Sequence, residues 1–162
     1  MSSSFVTAIR RNHALEHATI GVLMTKLGAG TRMMGRASVD GFYVVGDVST
    51  EDVTQAAHEG LARLKRGEHH LAVSPLCGTN LVTAGLLAGL ASMLSMRRKS
   101  GMSHLPQVIL AATGAVILAQ PLGRMAQKHL TTFAEVEGVD IVGVTSSGHG
   151  KLTRHKIKTV QD

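Results

Sequence analysis

LCGTNLVTAGLLAGLASMLSM, residues 76–96, and LPQVILAATGAVILAQPLG, residues 105–123, are the stretches on which the fold of this chain turns. No Asp, Glu, Lys or Arg occurs from Leu71 to Met96 or from Ser100 to Gly123. A helix needs roughly 20 mostly apolar residues to cross a hydrocarbon core about 30 Å thick, and both stretches reach that length. A soluble helix this long normally carries one polar face. Here Thr79, Asn80, Thr83, Thr113 and Gln120 are sparse, and most of each helix is apolar all round. The link between the stretches, Arg97-Arg98-Lys99-Ser100-Gly101-Met102-Ser103-His104, is short and basic. The pattern predicts a transmembrane helical hairpin over 76–123. Gly85 and Gly89, flanked by Ala84 and Ala88, and Gly114 in the second stretch offer small surfaces through which helices approach closely in lipid. Through such faces the chain is expected to meet a membrane-protein partner or a second copy of itself.

The residues on either side, 1–75 and 124–162, are expected to form one discontinuous water-exposed domain. Phe5 to Leu27 reads as a helix, with an apolar stripe of Ile9, Ala14, Leu15, Ala18, Val22 and Leu23 and a stop at Gly28 and Gly30. Thr31 to Arg36 reads as a linker. Ala37 to Val48 alternates around Asp40-Gly41, a two-residue hairpin signal. Ser49-Thr50-Glu51-Asp52 is a helix start, a hydroxyl cap followed by acids in the first turn. That helix runs to about Arg66 and ends at Gly67. His70 to Val73 reads as a short strand, Arg124 to Glu135 as helix, and Val139 to Thr145 and Lys151 to Val160 as two strands. The class is α+β, a small and mostly antiparallel sheet with helices, interrupted by the hairpin. About 110 residues outside the lipid suffice for a modest core.

Composition narrows the function. The 162 residues carry 17 Lys and Arg against 11 Asp and Glu, a net charge of +6, yet charged residues are only 17% of the chain. With no Trp, three Phe and one Tyr, the chain lacks the stacking platforms of a single-strand nucleic-acid groove, and no nucleic acid is expected as partner. One cysteine, Cys77, excludes an internal disulfide framework and a multi-cysteine zinc site. The first residues lack the apolar run of a secretory signal, so insertion is expected through the hairpin, into the inner (cytoplasmic) membrane. Arg63, Lys65, Arg66, Arg124 and Lys128 flank it on one side and Arg97-Arg98-Lys99 lie in the link on the other, so the positive-inside rule leaves both orientations open, and the water-exposed domain is expected in the cytoplasm.

The sharpest chemical signal is His13-Ala14-Leu15-Glu16-His17. Residues four apart share a helix face, so His13 and His17 can direct ring nitrogens at one metal ion, with Glu16 bordering the site. This H-x-x-E-H order resembles that of the inverzincins, in which two His bind zinc and the Glu activates water. A third ligand is open among Glu59, His69, His70, Cys77, Glu135 and Glu137. An imidazole also suits haem or a magnesium-bearing pigment, and nothing in the sequence selects between them. The plainer reading of His13 and His17 is a polar face bonded to a neighbouring segment. Cys77 reads either as a soft ligand or as a small apolar residue beside a Thr79 cap. Lys151 to Lys158 reads as an edge strand guarded by Lys, with contact to phosphate, anionic headgroups or RNA as the alternative. Gly28-Ala29-Gly30 lacks the Lys-Ser/Thr of a phosphate loop.

Asn12-His13-Ala14-Leu15-Glu16-His17-Ala18-Thr19-Ile20 resembles the signature of a bacterial membrane family, a domain of unknown function found in photosynthetic and related bacteria. Gly41-Phe42-Tyr43-Val44-Val45-Gly46-Asp47-Val48 and Leu76-Cys77-Gly78-Thr79-Asn80-Leu81 extend the likeness across most of the chain. Members of that family often carry His at the positions of Gly21 and Ser74, so this chain has fewer potential ligands. The resemblance implies an architecture and no reaction. Two functions are therefore carried forward. One is a small accessory or assembly subunit that binds a larger membrane complex, with a His-based metal or cofactor site. The other is a membrane-anchored zinc hydrolase with His13 and His17 as ligands and Glu16 as general base.

Overall fold

The computed structural model describes residues 4–28, 30–96 and 104–162. The basic link 97–103, the first three residues and Ala29 of the Gly28–Gly30 segment lie outside the described residues. The chain divides into two compact units, Met1–Ser74 with Lys128–Asp162, and Pro75–Gln127.

The first unit is α+β. Helix α1 (Phe5–Leu27) is capped by Ser4, whose hydroxyl accepts the Thr7 N–H at 3.2 Å, and it stops at Gly28, where φ is +90°. A hairpin of β1 (Met33–Ser38) and β2 (Gly41–Gly46) follows. The strand begins inside the expected linker because Gly35 interrupts the side-chain alternation that marks strands in sequence. The turn falls on Val39 and Asp40, one residue before the expected pair. Gly41 opens β2 at φ +133°, with its α-carbon pressed on the Ile157 carbonyl, where no Cβ fits. Asp40 locks the turn: Lys156 Nζ and the Ser38 hydroxyl donate to its carboxylate at 2.7 and 2.8 Å.

Helix α2 (Thr50–Lys65) starts at Ser49, which accepts the Asp52 N–H at 3.0 Å. His69–Ala72 is a 3₁₀ turn rather than the expected strand. It packs on α1 and α2, where no strand is available to pair with it. The expected helix through Glu135 also ends early: Gln127–Thr131 is a single π-type turn, and irregular chain follows. Helix α1 captures that segment. Arg10 donates to the carbonyls of His129 and Thr132 at 2.9 and 3.0 Å, and Arg11 donates to that of Glu135 at 3.0 Å. The Phe133 N–H bonds the Arg10 carbonyl at 3.0 Å, and both guanidinium groups lie 5.6 Å from its ring centre.

Strands β3 (Val139–Ser147) and β4 (Arg154–Gln161) complete a four-stranded antiparallel sheet in the order β1-β2-β4-β3, with a register shift between Ile141 and Gly143. The basic strand is thus interior and not an edge. Helices α1 and α2 cover one sheet face and bury a core of Leu15, Leu23, Phe42, Val44, Leu64 and Ile157.

The second unit is a pair of helices, α3 (Gly78–Met96) and α4 (Leu105–Ala126), packed together. Both are long and apolar enough to cross a membrane. Leu81, Val82, Leu86, Ile109, Leu110 and Ile117 point outward. Along the helices Ala84, Ala88, Ala91, Ala111 and Ala115 are half-buried and Ala119 is buried, whereas Gly85 and Gly89 are exposed. A Cβ on Gly85, Gly89 or Gly114 would meet nothing within 4 Å. The close approach occurs instead where Gly123 lies against buried Asn80. Asn80 accepts from Gln127 Nε2 at 2.8 Å and donates to the Pro75 carbonyl at 2.9 Å. At the start of α3, Cys77 Sγ accepts the Thr79 N–H at 3.4 Å, so Cys77 takes the capping place expected of Thr79.

Candidate metal centre

Helix α1 presents His13, Glu16 and His17 on one face, as the spacing requires. Each imidazole is held through the same ring atom. His13 Nδ1 lies 2.9 Å from the Thr131 carbonyl, and His17 Nδ1 lies 2.7 Å from the Ala72 carbonyl. A carbonyl oxygen only accepts, so each Nδ1 carries the hydrogen. Each neutral ring therefore has its lone pair on Nε2. This is the arrangement in which metal-ligating imidazoles are commonly held, the second nitrogen anchored so that tautomer and ring orientation are fixed. The rings meet edge to face with centroids 4.4 Å apart, and ligand atoms of the two side chains lie within 4.8 Å of one another.

Glu16 completes the group. Its Oε2 is 3.8 Å from His13 Nε2, and Glu16 and His17 are each only 5% exposed. The carboxylate lies in contact with the α-carbon of Gly35 in β1, a place open only because that residue lacks a Cβ. Burial of a charged carboxylate is unfavourable unless it is paired or hydrogen-bonded; the neutral His13 ring turns its Nε2 lone pair to that side, so a cation bound there would offset the charge.

The anchoring carbonyls depend on contacts distant in sequence. Arg10 and Arg11 hold the segment carrying Thr131, one turn before His13 on the same helix. The 3₁₀ turn His69–Ala72 delivers the Ala72 carbonyl, and Ala72 is buried beside α1. Asn12 fixes the helix on the sheet: its amide nitrogen donates to the Ser38 and Val39 carbonyls at 2.8 and 3.0 Å. Its oxygen accepts from Thr159 Oγ1 at 2.8 Å and Gln161 Nε2 at 3.1 Å. Asn12, Gly35, Ala72 and Thr131 are the site residues that sequence reasoning did not assign. Asn12 adjoins the motif and was visible; the carbonyls carry no sequence signal.

The other candidate ligands of the α+β unit do not join this group. Glu59 is half-exposed on α2, 3.8 Å from Arg63. His69 and His70 are exposed on the 3₁₀ turn, and Glu135 and Glu137 are exposed beyond the π-type turn. Cys77 belongs to the helical pair, with the capping contact described above.

An uncharacterised protein of Picosynechococcus is 38% identical to this chain over 138 residues, which span 76% of the chain and 65% of the relative. The chain thus matches just under two thirds of that relative's length. No solved structure matches the chain. Residues 8–144 match the model of a domain of unknown function, DUF6391, a span that takes in the histidine helix, the hairpin of strands and both apolar helices, and the chain belongs to that family.

Proposed function

We propose that this chain is a membrane-anchored metal-binding protein that serves as an accessory or assembly subunit of a larger membrane complex. In this reading α3 and α4 lie in the lipid of the inner (cytoplasmic) membrane, the α+β unit faces the cytoplasm, and His13 and His17 hold a divalent transition metal such as zinc. The observation that carries the metal reading is the matched pair of Nδ1–H bonds to main-chain carbonyls. A polar helix face needs no such matching, and two rings fixed in the same tautomer with neighbouring Nε2 atoms suit imidazole ligation. Bound zinc supplies positive charge and Lewis acidity. The outward face bearing Gly85 and Gly89, unused within the hairpin, is where a partner helix or a second copy packs.

Metal analysis of the full chain, purified in mild detergent and offered zinc or cobalt, tests the site. Wild type is expected to hold about one equivalent, and His13→Ala or His17→Ala to lose it. Cys77→Ser and alanine at Glu59, His69, His70 and Glu135 then identify the third ligand by loss of affinity. A folded wild type that binds neither ion sinks the metal reading. Recovery of a stoichiometric membrane partner from the same preparation tests the assembly role.

A second reading rests on Glu16. Its carboxylate beside His13 suits the general base of a zinc hydrolase of the peptidase kind. Glu16→Gln separates the two: it keeps the metal in both readings, but abolishes peptide hydrolysis only if the chain is an enzyme.

A further inference from the structure

The sheet face away from α1 and α2 carries a second assembly of residues. Cross-strand register places Met34, Val45 and Arg154 in one row and Arg36, Tyr43 and Lys156 in the next, with Lys158 beyond. Because β4 is an interior strand, its three cations do not serve to block edge pairing, which is the ordinary use of Lys in a strand. Lys156 is accounted for by Asp40 and Ser38. Among the described residues no carboxylate lies within ion-pair distance of Arg36, Arg154 or Lys158. The Arg154 guanidinium lies 5.5 Å from the centre of the Tyr43 ring.

Around the β1 edge this face opens into a cavity of about 730 Å³, lined by Ile9, Met34 and Val45 together with Arg36, Tyr43 and Arg154. That volume is within the range of ligand sites, about 300–1,000 Å³. Its lining divides in two: aliphatic side chains, among them Met34 at 69% exposure, and two guanidinium groups without carboxylate partners. The cavity thus sets an exposed apolar side chain beside two cations that are free to take an anionic group. A ligand with a hydrocarbon body and an anionic head complements both parts of that lining. Arginine is the side chain whose planar fork matches phosphate oxygens in pairs.

We propose that this cavity binds one anionic phospholipid, its phosphate on Arg36 and Arg154 and its hydrocarbon along Ile9, Met34 and Val45. The site stands apart from the histidine centre and does not depend on metal there.

Native mass spectrometry of the full chain in neutral detergent, titrated with phosphatidylglycerol or phosphatidylcholine, tests it. Lipid that adheres to α3 and α4 contributes equally to all variants and is subtracted by comparison. Wild type is expected to bind one phosphatidylglycerol at least tenfold tighter than phosphatidylcholine. Arg36→Gln with Arg154→Gln should abolish that preference, and Met34→Asp should weaken phosphatidylglycerol several-fold. Both arginines are exposed, so an unchanged thermal melt establishes that the double variant is folded. Equal affinity for the two lipids overturns the proposal, as does a double variant that retains the preference. Glycerol phosphate that competes as well as the whole lipid does so too, since the hydrocarbon would then contribute nothing.

Discussion

Gly35 decides what Glu16 can do. A methyl group at that position would occupy the space of the carboxylate and reach within 2.7 Å of its Cγ, so the whole side chain must swing away. Gly35→Ala should lower stability by about 1–3 kcal/mol, the usual cost of overpacking, and move Glu16 from beside His13. A lowered melting temperature with unaltered helix content checks it. His155 is the second informative residue. It is fully buried, its Nε2 faces the Val48 carbonyl at 3.1 Å, and Nδ1 has no partner among the described residues. Burial pushes its pKa below the ordinary 6.5, and the Val48 bond opposes that only partly. The unfolded chain therefore takes up a proton near pH 6.5 while the folded chain resists it. The stability is present above that pH and is lost on acidification, by up to about 1.4 kcal/mol per pH unit. In melts from pH 8 to 5, His155→Gln should flatten this part of the slope. A slope identical to wild type would assign the loss to other groups.

At the scale of elements, the cap of α2 joins sequence to stability most directly. Ser49 accepts the Asp52 N–H, and its hydroxyl bonds the Asp52 carboxylate at 2.7 Å; Lys26 Nζ, on α1, lies 2.8 Å from the same carboxylate. Ser49→Ala should cost about 1 kcal/mol, read as a lower midpoint in chemical denaturation, with Thr restoring most of it. This cap was legible in the sequence, as were both long apolar helices, α1 and the turn near Asp40. Each is written in residues close together: a hydroxyl before acids, an unbroken apolar run, a stripe at helical spacing. The elements misread were those set by partners far away. Strand β1 was hidden because Gly35 serves Glu16 rather than the strand pattern. The π-type turn arises from Arg10 and Arg11, more than a hundred residues distant. The site divides along the same line. His13, Glu16 and His17 were visible through their spacing, whereas the carbonyls that fix the two rings lie 118 and 55 residues from them.

For the whole molecule, the separation into an α+β unit and an apolar pair makes the proposed membrane reading open to a direct check. The outward leucines, isoleucines and valines of α3 and α4 should keep the full chain in the pellet through an alkaline carbonate wash, with release by detergent. Recovery in the wash supernatant would sink the lipid placement. The sheet order has a further bearing on how the molecule is made. Strand β4 sits between β2 and β3, and its residues follow the apolar pair in the chain. On the ribosome, β1 and β2 emerge first and form at most a two-stranded ribbon, which is marginal in water. The greasy segments then leave the ribosome before the strand that joins β2 to β3 has been synthesised. On the proposed membrane reading, translation order commits the nascent chain to its bilayer before its head can close.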